Sequence, residues 1–243
     1  MDDTKVDPLH FLGPVLVVPM SESHLVTIEE IVAVTRDVGR IVTTKPAGYK
    51  FKPGQATEVA VSKEGWKDEK RPFTFSSLPD DPKLEFTIKI YPERDGVTDR
   101  IGDLQVGEKL EIGEPWGAIA YQGPGVFIAG GAGVTPFIAI LRDLHDKGKL
   151  KGNRLLFSND TEDDVILAAE FKRILGDRAM FVVTNDKHCQ TYPQARIDRD
   201  FIKEQVDDFD QNFYVCGPPS MVDDVTKALK ELGVKEDKIV TEE

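Results

Sequence analysis

Metal-binding side chains are scarce in this sequence. It has two cysteines, Cys189 and Cys216, and four histidines far apart in the chain. No CxxC or HExxH pattern occurs, so neither a zinc site nor a cysteine-ligated iron–sulfur cluster finds its ligands, and we expect no metal. Two cysteines make no disulfide framework, which fits a reducing cytoplasm. No run of 18 apolar residues exists, so we expect no membrane span. The apolar stretch FLGPVLVVP at 11–19 is short, is broken by two prolines and lacks the basic flank of a signal peptide. Residues 1–24 therefore read as an N-terminal extension. Positive charge is also in deficit: 31 Lys and Arg stand against 43 Asp and Glu, a net charge of -12. That balance argues against nucleic acid or an anionic membrane as partner, and it admits an acidic protein partner only through a local basic patch.

What is present is an ordinary globular composition. The 243 residues are 40% hydrophobic and 30% charged, enough for one or two domains with buried cores. Residues 25–121 are rich in short strand patterns: LVTIEEIVAV, GRIVTTK, QATEVAVS, RPFTFSS, KLEFTIKIY and EKLEIGEP. Gly, Pro or Asp turns bound each, which predicts an antiparallel barrel or sandwich, with one helix at about 98–104. After the YQGPG stretch at 121–125 the texture changes. The continuous apolar run VFIAG is followed by alternating helix and strand patterns to the end, which predicts a parallel, doubly wound sheet over 125–243.

Three loops at strand ends carry chemistry. Gly130, Gly131 and Gly133 lie between the first parallel strand and its helix. Glycines there let a phosphate approach the backbone, and the helix N-terminus offers free N–H groups. Thr135 is placed to cap that helix and Pro136 suits its first turn. The alternative is an ordinary βα turn; a P-loop is excluded because no Lys-Ser/Thr follows. After the next strand comes NDTEDD, with four carboxylates and no basic residue. Asp160 and Asp164 are candidates to accept hydrogen bonds from ribose hydroxyls, and the loop repels a 2′-phosphate, favouring NADH over NADPH. The alternative is a solvated acidic helix start. Third, FYVCGPPSM ends a buried strand in a small thiol and a flexible backbone, where a reactive ring could rest. Alone, Cys216 reads as a buried structural cysteine more often than as a functional one.

Four motifs in this order, RPFTFSS, GVTDRI, GGAGVTP and CGPPSM, make residues 25–241 resemble the ferredoxin–NADP reductase superfamily. IKIYP, FSNDTEDDVIL and CGPPSM resemble its NADH-dependent cytochrome and nitrate reductase branch in particular. The resemblance implies an all-β plus α/β fold: an N-terminal six-stranded antiparallel barrel that binds FAD, then a five-stranded parallel, doubly wound domain that binds NADH, with NADPH the less favoured donor. It places Arg71 on the flavin pyrophosphate, Phe73 against the isoalloxazine and Thr74 near flavin N5, with Pro72 among the cofactor-binding residues of the same strand. Ile88, Ile90 and Tyr91 form the flavin-contact strand, and Gly96, Val97 and Thr98 a second phosphate-facing helix start. Cys216, Gly217, Pro218 and Met221 line the nicotinamide side. Thr74 and Cys216, nearest the reacting atoms, are the catalytic candidates. Phe73 replaces the family's usual tyrosine, and no aromatic ends the chain. The implied activity is electron transfer from NAD(P)H through FAD to a separate acceptor such as flavodoxin, ferredoxin or a cytochrome or oxygenase component. Lys50, Lys52, Lys63, Lys67, Lys70 and Arg71 offer that acceptor a basic patch. A free-flavin reductase and a non-enzymatic nucleotide-binding subunit are the alternatives.

Overall fold

The computed structural model describes residues 23–117 and 119–242. The apolar stretch at 11–19 lies outside them, as does the expected extension apart from its last two residues.

The antiparallel half holds strands β1 (His24–Ala33), β2 (Val38–Thr44), β3 (Ala56–Val61), β4 (Arg71–Thr74), β5 (Lys83–Lys89) and β6 (Lys109–Ile112), with helix α1 (Val97–Gly102) before β6. The sheet order is β4-β3-β6-β1-β2-β5. The RPFTFSS stretch brings its edges together. Arg71 to Thr74 pair with β3, whereas Phe75 bridges to Phe86 of β5 and the Ser76 N–H donates to the Glu85 carbonyl at 2.8 Å. The strand thus changes partner halfway, and its face changes with it. Phe75 is fully buried in the barrel core, stacked on Phe51 with ring centroids 4.2 Å apart, while Phe73 is half-buried at the rim.

The second half holds β7 (Gly125–Gly130), α2 (Thr135–Asp146), β8 (Arg154–Asn159), α3 (Ala168–Leu175), β9 (Ala179–Val183), α4 (Arg199–Gln205), β10 (Asn212–Cys216), α5 (Pro219–Glu231) and β11 (Ile239–Thr241). All five strands are parallel, in the order β11-β10-β7-β8-β9. Continuous burial of VFIAG has a direct cause, because both faces are covered. Phe127 and Ala129 pack with α2 and α3, and Val126 and Ile128 with α4 and α5. The order reverses between β7 and β10, so the crevice beyond their carboxyl ends is a topological switch point, where such sheets bind ligands. Six antiparallel and five parallel strands are the expected fold.

Arg142 of α2 joins the halves. Its Nε and Nη2 donate to the two Glu170 oxygens at 2.7 and 2.9 Å, and its Nη1 donates to the Ser76 carbonyl at 2.7 Å and to Glu85 Oε1 at 2.6 Å. The guanidinium is only 22% exposed, and both carboxylates are at least as buried. Burial works against its charge, but Glu170 and Glu85 outweigh that and hold its pKa above the usual arginine value. Burial likewise pushes Glu170 up, yet Arg142 outweighs it and leaves the carboxyl below its ordinary 4.5.

The sign of the pH dependence follows. The unfolded chain takes up the Glu170 proton first as pH falls, so this stabilisation is complete above the ordinary value of 4.5 and is lost below it. Urea midpoints should therefore fall more steeply with acid for the parent than for Glu170→Gln. Arg142→Gln should cost roughly 3 kcal/mol at neutral pH, because it strands two buried carboxylates.

Candidate functional site

A cleft of about 790 Å³ separates the barrel from the carboxyl edge of the parallel sheet. Its barrel wall carries Pro72, Phe73 and Thr74 of β4, with Ile88, Tyr91 and Thr98. Its opposite wall carries Gly130, Gly131, Gly133 and Thr135 after β7, Asp160 and Asp164 after β8, and Cys216, Gly217, Pro218 and Met221 after β10. Stretches far apart in sequence meet here because strand ends of two sheets converge on one crevice.

Four expected residues do not line it. Arg71 opens β4 in solvent, with its guanidinium donating to the Lys70 carbonyl at 2.7 Å and lying 3.6 Å from Glu69. Ile90 lies past the end of β5 and packs on Gly102, where an added Cβ would come within 2.8 Å of it. Gly96 is the N-cap of α1, and Val97 turns into the barrel core, where it is buried.

The glycine turn is itself helical. Residues Gly131–Val134 form a 3-10 turn that runs directly into α2, so Thr135 has helical dihedrals and does not cap; the N-cap is Val134, with no side-chain hydrogen bond. The turn, not a hydroxyl, sets the helix entry. Gly131 takes φ +51°, and a Cβ on Gly133 would stand 2.4 Å from the Cys216 carbonyl oxygen. Any side chain at Gly133 would push the ends of β7 and β10 apart at the switch point.

The acidic loop is less free than its sequence suggests. Thr161 and Asp164 form a capping box: Asp164 Oδ2 accepts from the Thr161 N–H at 3.1 Å and hydroxyl at 2.7 Å. Its Oδ1 accepts from Arg36 Nε at 3.1 Å, a cation contributed by the barrel's β1–β2 turn. Both oxygens of Asp164 are thus engaged. Asp160 uses only Oδ1, accepting from Thr184 and Asn185 at 3.2 and 3.1 Å, so of the two carboxylates it is the less engaged.

Cys216 is 4% exposed, and its thiol lies 3.5 Å from the Glu242 carboxylate. Burial first, and then the Glu242 charge, push its pKa well up. It is a neutral thiol, not a nucleophilic thiolate.

The sequence alone did not point to Lys89, Arg94, Trp116, Asn159, Thr184 or Glu242, all of which line the cleft. Lys89 pairs with Asp37 at 3.0 Å, and the Arg94 guanidinium lies over the Tyr91 ring, 4.3 Å from its centroid. Burial pushes Asp37 up, but Lys89 outweighs it and holds the carboxyl below its usual range. A cation just after the aromatic of IKIYPER was a signal for Arg94. Nothing local marked Trp116 or Glu242. Asn159, at the end of β8, buries an amide with no partner.

Comparison with known proteins agrees with this architecture. Residues 127–227 match the oxidoreductase NAD-binding domain family. The reductase component of propane 2-monooxygenase from Rhodococcus jostii (strain RHA1) is 27% identical over 82% of this chain and 57% of its own length. NADH-cytochrome b5 reductase 1 from Candida glabrata is 31% identical over 70% of this chain and 64% of its own. The chain thus spans less than two thirds of these relatives' lengths. Among solved structures, a ferredoxin NADP+ reductase from Neisseria gonorrhoeae with bound FAD and NADP superposes with a TM-score of 0.77 at 18% identity, over 90% of this chain and 98% of that one. Residues 127–227 belong to the oxidoreductase NAD-binding domain family, and the chain as a whole has the fold of ferredoxin–NADP reductase-like proteins. The flavohaem-like FAD/NAD-binding domain of nitric oxide dioxygenase from Vibrio cholerae has the same fold, with a TM-score of 0.78 at 23% identity over 89% of this chain and 96% of that one. Among the described residues, no helix is long and apolar enough to cross a membrane.

Burial of Cys216 has a direct test. Iodoacetamide at about pH 8 should label the part-exposed Cys189 and spare Cys216, as read by peptide mass spectrometry; equal labelling would contradict a closed, neutral thiol.

Proposed function

We propose that this chain is an FAD-dependent oxidoreductase that draws electrons from NADH and passes them to a separate redox-protein acceptor. One observation carries the reading: a single cleft has an aromatic and a hydroxyl on its barrel wall and a glycine turn at a sheet switch point on the other. The residues fit the two groups. Phe73 supplies a flat apolar surface and Thr74 a buried hydroxyl beside it, suited to an isoalloxazine ring and its polar edge. Lys89, Arg94 and the solvent-reaching Arg71 are the barrel-side cations available to a pyrophosphate, with Gly96 opening α1 near them. The glycine turn and the start of α2 receive the phosphates of the dinucleotide.

When bound, FAD supplies the chemistry, accepting a hydride from NADH and releasing electrons to the acceptor. The chain's own residues bind, orient and exclude water. Cys216, Gly217 and Pro218 form a small, neutral surface at the end of β10, so a nicotinamide ring resting there meets no competing thiolate. Thr74 and Thr98 present hydroxyls from the facing wall. Asp160 accepts from ribose hydroxyls and repels a 2′-phosphate, which favours NADH over NADPH.

The acceptor is a flavodoxin, a ferredoxin, or a cytochrome or oxygenase component. Lys50 and Lys52 are exposed ahead of β3, and Lys63 and Lys67 in the β3–β4 connection, where Lys63 pairs with Glu108 at 2.6 Å. Glu64, Asp68 and Glu69 interleave with them, so the patch is mixed, and docking should be short-ranged and salt-sensitive.

Stopped-flow mixing of the flavin-loaded protein with NADH tests the reading: the flavin absorbance should bleach, and faster with NADH than with NADPH. Absence of bleaching with either overturns it. A colourless protein that reduces added flavin would be the free-flavin reductase instead. Asp160→Ala should narrow the NADH preference by about tenfold, the worth of one charge-assisted hydrogen bond. Arg71→Ala should lose retained flavin; unchanged flavin retention would remove Arg71 from the site.

A further inference from the structure

Asn159 closes β8 with a side chain that breaks the usual rule for buried amides. It is 5% exposed, yet neither its Oδ1 nor its Nδ2 has a hydrogen-bond partner. Other buried asparagines in this half are engaged. Asn153 accepts from the Gly125 N–H at 3.2 Å, and Asn212 donates to the Pro124 carbonyl at 3.3 Å. Among the described residues Arg40, Arg100 and Thr226 also bury an unpaired polar atom, but only Asn159 lines the cleft. A buried polar group without a partner costs about 1–3 kcal/mol. Leucine at that position would bury as well and carry no such penalty.

The position says what the amide faces. β8 pairs with β7 so that Ser158 stands opposite Gly130, which puts Asn159 beside the glycine turn. On its other flank the Asn159 carbonyl accepts from the Thr184 N–H at 2.9 Å, and Asp160 follows directly. The residue therefore sits between the turn that suits phosphates and the carboxylate that suits a ribose. An amide presents two donors and one acceptor, a set that serves phosphate or ribose ether oxygens and ribose hydroxyls together.

Resting on the reductase reading above, we propose that the Asn159 amide is a direct ligand of the ribose–diphosphate section of the pyridine dinucleotide. Its unpaired state in the protein alone is the counterpart of that role: the hydrogen bonds are completed by the ligand. This makes Asn159 a residue of binding rather than of hydride transfer. Removing it should weaken the dinucleotide without slowing the saturated enzyme, and should not weaken the fold.

Asn159→Leu and Asn159→Ala, assayed as flavin-loaded full chains, give the test. In both, KM for NADH and the inhibition constant of ADP-ribose should rise about tenfold, equivalent to one or two hydrogen bonds to a partly charged ligand. The kcat should stay within twofold of the parent. The thermal midpoint of Asn159→Leu, without dinucleotide, should equal or exceed the parent's. Values of KM and of the ADP-ribose constant within twofold of the parent overturn the proposal. So does a lower midpoint in both variants, which would mean that the amide has a structural partner such as a fixed water. If the parent itself is not bleached by NADH, the reductase reading falls, and this assignment with it. A parent that bleaches beside unaffected variants removes Asn159 alone.

Discussion

The cleft lies where the barrel and the parallel sheet meet, and one guanidinium bonds to both. Arg142 belongs to the sheet half through its bidentate pair with Glu170, and it reaches the barrel through Glu85 and the Ser76 carbonyl. The planar fork holds direction as well as distance, which a lysine would not do. From there a chain of hydroxyls leads to the cleft itself. The Ser76 hydroxyl donates to Glu85 at 2.9 Å, and Thr87 donates to Ser76 at 3.1 Å, while Thr87 stands in the cleft wall. Interface and wall are one polar network, so a change at the joint is felt where the ligand would sit. Hydride transfer under the proposed reading needs near-contact geometry, and an angular error between the halves would be costly.

A second constraint acts at the switch point. The ends of β7 and β10 approach so closely that Gly133 has no room for a Cβ against the Cys216 carbonyl. That closeness puts a backbone suited to phosphates and a surface suited to a flat ring within one ligand's length. It also explains the thiol. A cysteine pressed between backbone and the Glu242 carboxylate cannot ionise, so it contributes shape and low polarity to the wall.

Much of this was legible in the sequence because it depends on local order. Short strands between Gly, Pro and Asp turns gave the barrel, and a continuous apolar run followed by a helical pattern gave the parallel sheet. The loops after β7, β8 and β10 could be named as the site because strand ends in such a sheet converge. What escaped depends on contacts between distant segments. RPFTFSS reads as one strand, but it is shared: Arg71 to Thr74 pair with β3 and Pro72 to Thr74 line the cleft, while Phe75 and Ser76 serve β5, the core and Arg142. Val97 sits where a phosphate-facing residue was expected, but an apolar side chain at a helix start above a barrel goes inward. Thr135 looked like a cap only while the glycine turn was taken to be non-helical.

The acidic loop shows how such contacts change a specificity argument. Read in sequence, Asp160, Glu162, Asp163 and Asp164 make a patch of four like charges. In the fold, Asp164 is spent on Thr161 and on Arg36 from the other half, and the Arg36 side chain is still 70% exposed. The field met by an approaching dinucleotide is therefore four carboxylates opposed by one cation rather than four unopposed. Under the proposed reading, repulsion of a 2′-phosphate survives this, since Asp160 lines the cleft with only Oδ1 engaged, but its strength rests on one carboxylate and not on the loop's total charge. Arg36 also ties that loop to the barrel, so under the proposed reading donor preference and the seating of the two halves both involve the same ion pair. A substitution at Arg36 should thus move both together, whereas one at Asp160 should move preference alone.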